Sequence, residues 1–176
     1  MTNISGTPPN INHLSQIKFS AIFTRNPNVE YFIQSVTLPG LSMGTDIYPN
    51  FLTNIPIPGD KVQYEQLTFA FIVDEDLRNW WELKQWMTAI TFADDTDDYK
   101  ELTENATALD PSKGTIYSNL SIFLYNHNQV ANREITFNQV FPVSLSGVQF
   151  DATLTDESPA LAQVALEFVN FTKKDL

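Results

Sequence analysis

The chain has no cysteine, which excludes disulfides and thiolate metal sites and leaves the redox compartment open. Its six glycines form no phosphate-cradling motif. The only two histidines, His13 and His127, fall in turn-like sequence with no nucleophile-elbow motif beside them, so no hydrolytic triad is expected. Carboxylates are plentiful, but they lie in loop sequence without an apolar pocket to raise one of them for acid catalysis. The expectation is a non-enzyme with no catalytic, cofactor or metal residues. Ten Lys and Arg against 21 Asp and Glu give a net charge of −11, the opposite of what gripping phosphates requires. No apolar run approaches the roughly 20 residues that span a bilayer. The segment Met1–Asn10 lacks the basic and apolar regions of a secretory signal, so a soluble, non-secreted domain without a membrane partner is expected.

What is present centres on Leu67–Met87. Leu67, Phe69, Phe71 and Val73 alternate with Thr68, Ala70 and Ile72, the period of a strand. The period then changes. Asp74 is placed to cap a helix, with Glu75 and Asp76 in its first turn, where carboxylates complement the helix dipole. From Leu77 the apolar residues recur at helical spacing, and Arg78 and Glu82 are set for an i,i+4 pair. Leu77, Trp80, Trp81, Leu83, Trp86, Met87 and Ile90 cover more than half the helix circumference. A helix packed on one sheet needs a stripe of roughly 100°. Either a thick core covers the whole face, or one side faces the core and the other a neighbouring subunit, which makes Trp80, Trp81, Trp86 and Met87 candidate interface residues. The three Trp are expected to point different ways, some into their own core and at least one toward a neighbouring subunit.

The rest of the chain reads mainly as strands. Leu14–Phe23 is the first, Arg25–Asn28 a turn, and Val29–Val36 the second strand of a hairpin. Leu38-Pro39-Gly40 ends it. Residues 41–60 hold Pro49, Pro56 and Pro58 among many apolar residues and read as irregular. An irregular yet apolar segment is expected to lie against something, either its own domain or a neighbour, and on the second reading Phe51 and Ile55, with Leu38 and Pro39, are further interface candidates. Residues 91–114 form an acidic loop without the glycine and terminal Glu spacing of a calcium-binding loop. Thr115–Tyr125 and Arg133–Phe141 make a hairpin, limited by Pro142. Val143–Phe150 is a short strand with Gly147 as a possible bulge, and Ala160–Phe171 closes the chain. The expected fold is one domain over 1–176, with a flexible arm at 1–13. It is mainly β: an antiparallel sandwich or partly closed barrel of about seven to eight strands, with one helix inserted mid-chain.

Four segments in this order resemble a known family. Phe32–Gly40 is similar to the strand-then-Pro-Gly segment of tail-tube proteins from contractile-tailed bacteriophages. Phe71–Leu77, followed by Trp80 and by Trp86-Met87, resembles the strand-to-helix signature of the same family. Leu145–Phe150 and Asp156–Leu161 resemble its C-terminal half, most closely in the tail-completion, or tube-terminating, branch. The acidic stretch 91–114 and the proline-rich 49–60 depart from the pattern. The resemblance implies a structural virion protein, assembled in the host cytoplasm and placed at the head-proximal end of the tail. It implies a homo-hexameric ring that pools strands into one barrel and stops growth of the tail tube. The tube protein, sheath and neck would be its partners, and DNA would pass through the lumen without specific binding. The acid excess suggests an acidic lumen. Two other readings stand beside it: a main tube protein that stacks into long tubes, and a carbohydrate-binding β-sandwich, which needs flat aromatic residues on a sheet face.

Overall fold

The computed structural model describes residues 12–91, 116–151, 153 and 158–176. The expected arm 1–13 and acidic loop 91–114 thus lie almost wholly outside the described residues.

The strand-to-helix unit is where the sequence placed it. Strand β5 (Leu67–Ile72) buries Leu67, Phe69 and Phe71 and leaves the alternating residues half-buried, and helix α2 (Arg78–Thr91) follows. The joint between them differs from expectation. Asp74–Leu77 forms a turn closed by Leu77 N–H donating to the Asp74 carbonyl at 3.0 Å, and Leu77 has a φ of 60°. The helix therefore starts at Arg78, and Glu75 and Asp76 precede its first turn. Asp76 instead pairs with Arg78 at 3.2 Å. The buried side chain of Asn79 ties the joint together. Its Oδ1 accepts from the Trp80 amide at 2.8 Å and the Asp74 amide at 3.3 Å, while its Nδ2 donates to the Ile72 carbonyl at 2.8 Å.

The strands β1 (Phe19–Phe23), β6 (Ser118–Tyr125), β7 (Ala131–Leu145), β8 (Leu161–Glu167), β5 and β2 (Ile33–Thr37) form one antiparallel sheet in that order. Strand β9 (Asn170–Asp175) pairs with β7. Strand β7 is the fold's hinge. Up to Val140 it pairs with β6, and from Phe141 it pairs with β8. Just before the change, at the irregularity between the Phe137 and Val140 rungs, Gln139 has a φ of 54°. The expected pair of strands 133–141 and 143–150 is thus a single bent strand. Pro142 sits where β7 changes partner, beside a register shift, a position that tolerates a missing N–H. Gly147 lies beyond the strand rather than in a bulge. The last expected strand is divided as well: β8 and β9 run along β7 as successive partners on either side of Phe168-Val169.

This bend makes two leaves, β1-β6-β7-β9 and β7-β8-β5-β2, closed on one core. Phe23 of the first leaf meets Phe69 of the second at 6.2 Å, and Phe137 packs with Phe168 and Phe171 at 5.0 and 5.3 Å. Leu83 and Trp86 of α2 join the same cluster. The barrel stays open between β1 and β2, where a cleft of about 370 Å³ is lined by residues including Phe19, Glu30 and Ile33.

Two expected elements are corrected. Val29–Val36 is not a single strand, and β1 does not pair with β2. Instead a one-turn helix α1 (Pro27–Tyr31) buries Val29 before β2 begins. Pro27 suits a helix's first turn, where an N–H has no intrahelical partner anyway. Residues 41–60 are not irregular: β3 (Leu41–Pro49) and β4 (Asn54–Tyr64) form a separate two-stranded ribbon. Pro49, Pro56 and Pro58 all fall on rungs of one parity, paired with Asn54, Ile47 and Thr45. In a two-stranded ribbon both strands are edges, so one parity of amides points outward and proline there breaks no ladder bond. Nine strands are present among the described residues, against the seven or eight expected.

Candidate assembly surface

The ribbon β3–β4 is apolar and uncovered. Every residue of both strands is exposed except Gly59, which is half-buried. A register shift after Met43 divides it. A Cβ on Gly59 would lie 2.5 Å from the Gly44 carbonyl oxygen, so the two strands approach there as only glycine permits. On the near side of the shift, Leu41, Met43, Val62 and Tyr64 share one face, and the Tyr64 ring meets Phe168 and Phe171 of the main core. On the far side both faces are apolar. Ile47, Pro49, Pro56 and Pro58 occupy one, Tyr48, Ile55 and Ile57 the other. The tip is a turn closed by the Asn50 amide on the Thr53 carbonyl at 3.1 Å, with Asn50 Oδ1 accepting from the Phe51 amide at 2.7 Å. It holds Phe51 99% exposed and Leu52 87% exposed.

The other candidates divide. Trp86 is buried, donates its indole N–H to the Ile116 carbonyl at 3.0 Å and packs on Phe23 at 5.8 Å. Trp80 is half-buried and donates to the Ser146 carbonyl at 3.0 Å. Trp81 is half-exposed, with the Lys84 ammonium 5.3 Å from its ring centre. The three tryptophans thus point three ways. Met87 and Pro39 are half-buried, and Leu38 and Ile55 are exposed. Phe51, Ile55, Leu38 and Trp81 are therefore the accessible members of the candidate set, and Trp86 belongs to the core. Sequence reasoning did not single out Ile47, Tyr48, Leu52 and Ile57. Their signal was present in the density of apolar residues between the prolines.

The remaining polar chemistry is sparse. His13 and His127, expected as separate turn residues, meet edge to face at 5.3 Å, with Lys18 donating to the His127 carbonyl at 2.9 Å. Asp151 is held below the usual carboxylate range, first by the Thr153 hydroxyl at 2.6 Å and then by its amide at 2.8 Å, in an exposed turn. Among the described residues no three His, Asp or Glu stand close enough to hold a metal ion. Among the described residues the arrangement offers exposed apolar surface and no assembled reactive centre.

The family model of the phage tail tube protein matches residues 3–173. The chain belongs to that family. Its likeness to the tail tube terminator protein of Enterobacteria phage T4 is 30% identity over 135 residues, covering 75% of this chain and 70% of the relative. Among solved structures, the tube-terminating cap of the anti-feeding prophage matches with a TM-score of 0.64 at 15% identity, over 100% of both chains. The sheath/tube terminator of the PVC extracellular contractile injection system, in its extended state, matches with a TM-score of 0.60 at 16% identity, over 94% of this chain and 99% of that one. At such identities these two speak for the fold alone. This tail-tube family member is accordingly a structural component of a phage tail and not an enzyme. Its tryptophans lie on α2 and not on a sheet face, so the flat aromatic platform of a carbohydrate-binding sandwich is not built from them.

Proposed function

We propose that this chain forms a homo-hexameric ring that terminates the tail tube at its head-proximal end. The β3–β4 ribbon carries the reading. An arm apolar on both faces and tipped by a fully exposed Phe51 is unfavourable in water, and burying it returns about 25 cal/mol for each Å² covered. A second copy of the chain is the natural cover, because the arm projects from every subunit of a closed ring. Trp81 and Leu38 supply further apolar contact at subunit boundaries. The 30% likeness to a tube terminator favours the terminating role over that of a main tube subunit. On this reading the tube protein lies on one side of the ring, the neck on the other and the sheath outside. DNA passes through the centre without specific binding.

Electron microscopy of the purified chain, with and without preformed tubes, tests it. Single rings that also cap tubes are expected, and Phe51→Asp with Ile55→Asp is expected to leave subunits that neither close into rings nor cap. Long tubes from the chain alone would assign it to the main tube instead. A monomer under all conditions would overturn both.

A further inference from the structure

The arm β3–β4 has a fixed base, a pinch and a free end. At the base the Glu65 amide donates to the Gly40 carbonyl at 3.0 Å, and the Tyr64 ring lies 5.4 and 5.7 Å from those of Phe168 and Phe171. At the pinch the register breaks. Between the Met43–Val62 and Thr45–Pro58 rungs, β3 has one residue, Gly44, and β4 has three, Gly59, Asp60 and Lys61. Extra residues on one strand bend a ribbon and raise its twist. Beyond the pinch no residue is buried, out to Phe51 at the tip.

The two glycines at the pinch are not equivalent. A Cβ on Gly59 would stand 2.5 Å from the Gly44 carbonyl oxygen and 3.0 Å from its carbon, backbone atoms that no rotamer change can move aside. A Cβ on Gly44 would meet nothing within 4 Å. Neither glycine has the positive φ that a side chain resists, so this contact alone separates them. An alanine at 59 has to part the strands by about 0.8 Å, which in a ribbon about 4.8 Å wide tilts the far half by about 10°. Over Thr45–Pro49, about 16 Å of strand, that tilt carries the tip about 3 Å. An interface packed as densely as a protein interior does not absorb such a shift. We propose that Gly59 is a positioning residue for assembly: by letting the strands close on Gly44 it aims the far half of the arm, and Phe51 with it, at a second copy of the chain. The inference rests on the ring proposed above, in which the neighbouring subunit covers the two apolar faces of the arm.

The test compares Gly59→Ala and Gly44→Ala with the wild type. Ring formation is read by electron microscopy and sedimentation, and subunit stability by urea denaturation at monomeric dilution. Gly59→Ala is expected to raise the concentration at which half the chain is in rings by at least about tenfold. Its urea midpoint is expected to stay within about 0.3 M of the wild type, because the core is untouched. Gly44→Ala is expected to assemble within about twofold of the wild type. Hydrogen exchange separates a re-aimed arm from a melted one. Amides on the Asp46–Ile57 and Tyr48–Ile55 rungs are expected to stay as protected in Gly59→Ala as in the wild type. Faster exchange there, rings from Gly59→Ala at the wild-type concentration, a lowered urea midpoint, or equal loss of rings in Gly44→Ala would each overturn the inference. A wild type that forms no rings would instead defeat the reading beneath it.

Discussion

The core strand β5 and the arm β3–β4 are both apolar, yet they have opposite fates. In β5 the apolar residues keep strict alternation, so Leu67, Phe69 and Phe71 fall on one face and are fully or almost fully buried. In the far half of the arm, apolar residues occupy both faces, and no residue of either arm strand is buried. One leaf of sheet can cover only one face of its neighbour. A two-faced apolar ribbon therefore needs surfaces on both sides, and its own subunit leaves the far half uncovered. The near half behaves differently, since Tyr64 reaches Phe168 and Phe171. The difference separates apolar surface used to fold the subunit from apolar surface that, on the proposed reading, joins subunits.

Substitutions can break or sharpen that contrast. The largest effect belongs to the core. Phe137→Ala removes a fully buried ring from the Phe168–Phe171 cluster and is expected to cost about 3–5 kcal/mol by urea denaturation. A loss below about 1 kcal/mol would mean that the two leaves are not closed on one core. Next comes the joint. Asn79→Ala strands the Ile72 carbonyl and the Trp80 amide in a buried setting, and about 1–3 kcal/mol is expected from the same measurement. Intact thermal stability in that variant would show that the strand-to-helix turn does not depend on it. The smallest effect is expected in the arm. Phe51→Asp with Ile55→Asp, measured at dilutions where the subunit is monomeric, is expected to shift stability by less than about 0.5 kcal/mol. A larger loss would place the arm in the subunit's own core and remove the contrast.

The alternation in β5 and the helical period of α2 were legible because each reports a face turned toward one core. The joint was misread because Asp74, Glu75 and Asp76 fit a helix start locally. What decides the start is Asn79, whose side chain reaches back to the Ile72 carbonyl and the Asp74 amide and whose own amide donates to Asp74 Oδ1. The arm was misread for a related reason. Proline was weighed as a breaker of central strands, whereas a ribbon standing apart from the sheet has outward-facing amides to spare. The interface candidates Phe51 and Ile55 followed from apolar residues in an apparently irregular stretch, and both are exposed, as is Leu38 at the end of the preceding strand. Trp86 could not be told from Trp81 by period, because a helix with so wide an apolar face does not declare which side meets the core.

From the sequence alone came the β-rich class, the position of the long helix, the absence of a reactive centre in its motifs, and the resemblance to the tail-tube family. The first three rest on local period and composition and the resemblance on four short segments in order, all of them properties of short windows. Tertiary structure decided which strands pair, that β7 bends to serve two leaves, that the far half of β3–β4 stands away from the core, and which charges face each other across strands. Each of these depends on residues far apart in the chain. Glu134 opposite Lys174 is one such case: forty positions separate them in sequence, and a single rung of the sheet joins them.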